Sequence, residues 1–162
     1  MPPDAKIAFY AAHRIRKCAK KKELWCATVI EVLPPDIQIL LDETEQPIVS
    51  ASFPEGDWYV WTTKRMVATT AGQTWEVPAD SIDRIDWGTP QKSLHTLYQT
   101  GCVKSTLGIF ESSKGFSFPV RYETGYAWSG LVGCHQYWRL KHPILDKLMT
   151  PEEFEARGIK SI

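Results

Sequence analysis

At 162 residues the chain has single-domain length, and a domain of that size buries roughly 70% of the surface its unfolded chain exposes, so a substantial core is possible. Hydrophobic residues make up 43% and charged ones 23%, with seven Trp, six Tyr and six Phe; this excludes a disordered chain and supplies large, rigid core material. The formal net charge of zero removes the simplest argument for a nucleic-acid partner.

Residues 4–22 have a helical pattern. Ile7, Tyr10, Ala11, Ile15 and Cys18 fall on one face, and Arg14, Arg16, Lys17, Lys20, Lys21 and Lys22 occupy the rest. Seven basic residues stand against one acid up to Lys22, whereas residues 23–57 hold eight acids and no Lys or Arg. Two readings follow: the acidic segment neutralises the basic helix, or the helix is a patch for an anionic partner. Leu24, Trp25, Thr28, Val29 and Val32 continue at helical spacing, although the β-branched run 28–30 also suits a strand. Pro34-Pro35 ends this element in either case, and a short helix is expected over 36–41.

From Pro47 the period changes to two. Residues 47–53, 58–63 and 65–70 read as strands rich in aromatic and β-branched residues, with a loop at 54–57. The tight turn at Ala71-Gly72-Gln73 returns the chain as a strand around 75–77. A brief turn at 78–81 precedes a strand to Trp87, and 92–99 is ambiguous between helix and strand. Residues 104–111 and 116–122 form a second hairpin around Ser112-Ser113-Lys114-Gly115. Helical spacing resumes over 124–140, with Ala127, Trp128, Leu131, Val132, His135 and Trp138 on one side and Thr124 placed to cap it. Gly130 and Gly133 lie inside this helix, where each costs about 1 kcal/mol against alanine, so they are expected on a face pressed against the sheet. Pro143 ends the helix. Thr150-Pro151-Glu152-Glu153 is a capping box, worth about 1 kcal/mol, for a last short helix closed by Gly158.

The order of parts between Glu45 and Leu140 resembles that of bacterial pleckstrin-homology-like (PH-like) domains. In these a strand with a Thr-x-Lys-Arg element is followed by a turn and a Glu-Val-Pro-x-x-x-Ile strand; the matching positions are Thr62, Lys64, Arg65, Glu76, Val77, Pro78 and Ile82. The likeness covers a little over half the chain and rests on strand patterning. It implies an α+β fold: a PH-like, partly open β-barrel of two packed antiparallel sheets capped by the helix 124–140, with an N-terminal helical extension and a short C-terminal helix. The expected organisation is an extension over 1–42, the PH-like domain over 43–149 and a tail over 150–162. Such domains mostly act as binding or assembly modules. Relatives by fold often hold phosphoinositides with a basic loop between their first two strands, but here that loop, Pro54-Glu55-Gly56-Asp57, is acidic.

Enzyme signatures fail one by one. Gly101-Cys102-Val103-Lys104-Ser105-Thr106 lacks the phosphate loop's Gly before its Lys, and Trp128-Ser129-Gly130 is no nucleophile elbow. Cys134 and His135 diverge by about 100° on a helix. Asp80, Asp83 and Asp86 would not converge on a metal. Trp61 next to Lys64-Arg65, and Trp138 next to Arg139, could stack bases, but core packing explains both indoles more simply. No cofactor or metal is expected. The four cysteines have no paired spacing, the opening residues form no leader and no window approaches the roughly 18 to 20 apolar residues of a membrane span, so a cytoplasmic protein is expected.

The leading expectation is a non-enzymatic interaction module that binds a protein partner or forms a homo-oligomer, through a sheet edge or the N-terminal extension. The first alternative is peripheral binding to an anionic membrane surface or nucleic acid through Arg14, Arg16, Lys17, Lys20, Lys21 and Lys22. The second is a small enzyme or ligand carrier that uses the barrel mouth.

Overall fold

Period-two patterning at 47–78 produces four strands of a five-stranded antiparallel meander. Its strands are β1 (Thr28–Ile30), β2 (Pro47–Ser52), β3 (Trp58–Thr62), β4 (Arg65–Thr70) and β5 (Gln73–Pro78), paired in that order. A computed structural model of the chain describes residues 4–88, 105–140 and 150–158. The expectations on 92–99, 101–104 and Pro143 lie outside the described residues. Ala71 and Gly72 both take positive φ, 51° and 79°, which is the two-residue hairpin geometry that matches strand twist. Thr70 therefore pairs directly with Gln73.

A second antiparallel sheet contains β6 (Ile82–Asp86), β7 (Ser105–Ser112) and β8 (Ser117–Glu123). The fold is α+β, and among the described residues the two sheets share no strand pairing. They are tied by the turn between β5 and β6, where Ala79 O accepts from the buried Trp61 indole at 3.0 Å and Ser81 O accepts from Ser113 N at 2.8 Å. Thr70 Oγ1 donates to Pro119 O at 2.8 Å, and Arg121 Nε to Asp57 Oδ2 at 2.8 Å. Asp57, in the acidic loop between β2 and β3, thus holds β8 against the first sheet.

Tyr59, Trp61, Met66, Ala68, Phe110, Phe118 and Tyr122 fill the space between the sheets. Complete burial of a Phe- or Met-sized side chain stabilises by about 2–3 kcal/mol, so this layer dominates the energetics. The helix α2 (Trp128–Leu140) adds Leu131, Cys134, Tyr137 and Trp138 to the same core. Against it packs α1 (Asp4–Cys18) with Ile7, Ala11 and Ile15, so the N-terminal extension belongs to one continuous core. At the far end α3 (Pro151–Ala156) starts with the full capping box of Thr150 and Glu153.

Four local expectations are corrected, and one choice left open is decided. The first helix stops at Cys18, not Lys22, because Ala19 N turns back to Arg16 O and Lys20 N is taken by Ser129 Oγ of α2. Of the two readings open for residues 24–33 the strand holds, as β1 at 28–30, because three consecutive N–H groups that a helix would use are captured by Glu123. No helix forms over 36–41. This segment has no regular secondary structure beyond the turn in which Ile37 N bonds Pro34 O, and Ile37 with Leu33 and Ile39 covers Val60 and Val67, apolar side chains that would otherwise face water. Gly130 and Gly133 do not face the sheet: the first lies under the Trp25 ring and the second against the backbone of α1 at Ile15. Thr124 occupies the capping position of a 3-10 turn, Gly125–Ala127, that precedes α2, but its side chain makes no capping bond.

Thr62, Lys64, Arg65 and Glu76, four of the positions that carried the PH-like resemblance, form a hydrogen-bonded knot with Glu45. Thr62 Oγ1 accepts from Lys64 N (3.1 Å) and Arg65 N (3.0 Å) and donates to the buried Glu45 carboxylate at 2.6 Å. Arg65 Nε donates to the same oxygen at 2.9 Å, and its Nη1 reaches Glu76 at 3.3 Å. Burial pushes the Glu45 pKa up, but the bonds from Arg65, Thr62 and Asp42 N outweigh it and leave the carboxyl below its usual range. A depressed folded-state pKa contributes stability above the unfolded value of about 4.3 and loses it as pH falls through the folded value. Glu45→Gln is therefore expected to melt below wild type at neutral pH, with the two melting temperatures converging as the pH falls through and below that range. A constant gap across pH would show that the charge is not what stabilises.

Candidate functional site

The C-terminal end of α1 and the turn after it expose four lysines, Lys17, Lys20, Lys21 and Lys22, within six residues of chain. Ser129, in the first turn of α2, accepts the Lys20 amide on Oγ at 3.2 Å while donating to Tyr126 O at 2.7 Å. The Trp25 indole returns to donate to Lys20 O at 2.9 Å, and its ring lies so close to Gly130 that a Cβ there would come within 2.7 Å of it. Lys21 adopts the left-handed conformation, φ 49° and ψ 50°, and a 3-10 turn over Lys22–Leu24 is closed by Leu24 N to Lys21 O (2.8 Å) and Trp25 N to Lys22 O (3.1 Å). Beyond it, Glu123 takes the N–H groups of Cys26, Ala27 and Thr28. The turn backbone is thus bonded at both ends to α2 and β8, which leaves the side chains to face water.

The six basic candidates divide into two groups. Arg14 Nη2 donates to Gln136 Oε1 of α2 at 3.0 Å, and Arg16 forms an ion pair with Glu31, so both are engaged within the fold. Lys17, Lys20, Lys21 and Lys22 are exposed, and none has a salt bridge among the described residues. One acid, the exposed Glu23, stands within the turn. The positive potential is felt one turn back: the His13 pKa is lowered first by burial and then by Lys17 and Arg16. Among the described residues, ion pairing between this basic stretch and the acidic segment is the Arg16–Glu31 pair. Asp42, Glu45 and Asp57 pair instead with Lys64, Arg65 and Arg121.

Sequence reasoning missed three residues of this site. Trp25 and Ser129 set the turn's backbone, and Leu24 stands 55% exposed among the lysines. The signal for Trp25 was Gly130, whose missing side chain makes room for the ring.

Other polar groups were tested for chemistry. Cys134 is fully buried, and burial raises its pKa well above the usual thiol value; a protonated thiol is a poor nucleophile. His135 Nε2 lies 3.2 Å from Ile82 O, and burial lowers its pKa, so the ring is neutral near pH 7. Asp86 Oδ1 accepts from Gly88 N at 3.0 Å, while Asp80 lines a cleft on another side of the turn. That open cleft, about 790 Å³, lies between the start of α1 and the turns after β3 and β5, lined by Asp4, Ile7, Glu45, Lys64, Ala79 and Trp138 among others. Within it Lys64 sits 3.8 Å from Asp4 and Glu45 is taken by Arg65, so these charges are turned toward one another. Trp61 is buried with its N–H engaged, and Arg139 Nη1 donates to Asp83 O at 2.9 Å, which leaves neither aromatic-basic pair arranged as a stacking platform.

Compared with protein-family models, curated proteins and solved structures, the chain finds no significant match in any of the three.

Proposed function

We propose that the chain is a non-enzymatic binding module on a PH-like scaffold, which docks on an anionic macromolecular surface through Lys17, Lys20, Lys21 and Lys22. The scaffold reading is supported by the order of parts: a four-stranded meander β2 to β5, a three-stranded meander β6 to β8, then the helix α2. The strand β1 and helix α1 are additions to that order. One observation carries the binding reading. Four exposed lysines stand on a backbone fixed by Ser129, Trp25 and Glu123, so the charges are held in place before a partner arrives. Each lysine near an anionic surface is worth about 1 kcal/mol, and fixed charges are not diluted by ordering the loop. A reducing, cytoplasmic setting is part of the proposal and agrees with the free thiols of Cys18, Cys26 and Cys134.

A second reading, self-association or a protein partner, is favoured by β5. This six-residue strand lies at the sheet edge among the described residues and exposes Gln73, Thr74, Glu76 and Pro78. An unpaired edge is a template for strand addition.

The test is retention on heparin–agarose at low salt. Wild type is expected to be retained and to elute as salt shortens the range of charge interactions, whereas the Lys20→Gln/Lys21→Gln/Lys22→Gln variant passes through with an unchanged melting temperature. Equal elution of the two proteins would remove the lysine turn from the function. Elution of wild type as a dimer on gel filtration would favour the β5 edge instead.

A further inference from the structure

Among the described residues, no helix is long and apolar enough to cross a membrane, yet the lysine turn carries an apolar side chain where a purely electrostatic site needs none. We infer that the anionic partner is a lipid bilayer, and that Leu24 enters its interface while Lys17, Lys20, Lys21 and Lys22 lie at the headgroups. This inference rests on the anionic-surface reading of the same turn.

Three observations separate a bilayer from a nucleic acid. Leu24 is 55% exposed and sits at the end of the 3-10 turn Lys22–Leu24, directly beside the basic side chains. A bilayer offers apolar acyl chains just beneath its charged headgroups, whereas a phosphate backbone offers a leucine nothing comparable. The neighbouring aromatic, Trp25, is unsuited to base stacking. Its ring is pressed on Gly130 and its N–H is held by Lys20 O, while single-strand binders add exposed aromatic faces for base stacking to their charged groove. Finally, the four unpaired cations are all lysines and the two arginines nearby are engaged by Gln136 and Glu31. Lysine is a flexible point charge suited to a diffuse layer of headgroups, whereas arginine's planar fork suits fixed phosphate geometry. Glu23 opposes binding, and with Lys17, Lys20, Lys21 and Lys22 it leaves a net charge of three positive.

The experiment is co-sedimentation of the full chain with vesicles of phosphatidylcholine containing about a third phosphatidylserine, and with phosphatidylcholine alone, at low and high salt. Binding is expected only to the anionic vesicles and only at low salt. Each Lys→Gln replacement should weaken it about five-fold. Leu24→Ser should weaken vesicle binding by a similar factor while its elution from heparin–agarose stays at the wild-type salt concentration. That split is the signature of an apolar contact that a polyanion cannot provide. Unchanged vesicle binding by Leu24→Ser would overturn the insertion. Retention on heparin or on single-stranded DNA without vesicle binding would overturn the bilayer and leave the anionic-surface reading intact. Failure of wild type on both supports would remove both readings.

Discussion

Glu123→Gln is expected to destabilise the protein by about 3 kcal/mol, the loss of charge-assisted bonds to a buried acceptor. At roughly 2–4 °C per kcal/mol for a chain of this size, the melting temperature should fall by about 6–12 °C. The carboxylate lies at the end of β8, 5% exposed, and accepts four hydrogen bonds. Cys26 N reaches Oε2 at 2.8 Å, while Ala27 N (2.9 Å), Thr28 N (2.8 Å) and Thr28 Oγ1 (2.8 Å) converge on Oε1. Glutamine has nearly the same shape but only one acceptor oxygen. Whichever way its amide turns, at least one backbone N–H faces an NH₂ group and becomes a buried unsatisfied donor. The remaining bonds lose their charge. The amides of Cys26, Ala27 and Thr28 should therefore exchange with solvent much faster in the variant, whereas those of β3 and β4 change only as global stability does. Thr28→Val removes the Oγ1 bond to Glu123 and the hydrogen bond between that hydroxyl and the buried Tyr59 phenol, so it should cost about 1–2 kcal/mol, and the two substitutions together should cost less than their sum because they share the Glu123 acceptor. A melting temperature within about 1 °C of wild type, with unchanged exchange at the three amides, would show that the anchor contributes nothing.

That anchor also explains which parts of the fold could be read from the sequence. The hairpin at Ala71-Gly72, the one at Ser112-Ser113-Lys114-Gly115 and the capping box at Thr150 were legible because each is decided by residues within a few positions of one another. The strand β1 was legible only as one of two readings. Its apolar residues fit helical spacing while its β-branched run 28–30 suits a strand, and what decides for the strand is a carboxylate 95 residues further along. The missing helix at 36–41 has a similar cause, since Ile37 is recruited by Val60 and Val67 on the back of the sheet. In the candidate site, composition revealed the charge but not its availability. Arg14 and Arg16 look like Lys17 and Lys20 in the sequence, and only Gln136 and Glu31 distinguish them. Leu24 read as part of an apolar helix face. Its exposure follows from the left-handed Lys21, which redirects the chain before Trp25 docks.

Gly133→Leu is expected to cost about 3 kcal/mol, the upper end of the range for overpacking a close contact, and to weaken retention on heparin although every lysine is kept. A Cβ at position 133 would lie 3.1 Å from Ile15 Cα and 3.4 Å from Cys18 Cβ. The first of these is helix backbone, which cannot rotate aside as a side chain can. Three further carbons must then push α1 as a unit away from α2, at the place where Ile7, Ala11 and Ile15 reach the core. Gly133→Ala separates the two terms. Alanine gains about 1 kcal/mol of helix propensity over glycine and asks α1 to yield only a few tenths of an ångström, so its melting temperature should stay within a few degrees of wild type. The effect on binding follows from geometry. Cys18 ends α1 and the lysine turn begins at once, with Lys20 N bonded to Ser129 only four residues before Gly133 on the same helix. Pushing the helices apart strains that bond, and the four lysines lose their fixed placement. The measurement is the salt concentration of elution from heparin–agarose at a temperature where Gly133→Leu is still folded. If the variant melts lower but elutes with wild type, α1 packing matters for stability alone and the lysines need no fixed backbone to bind.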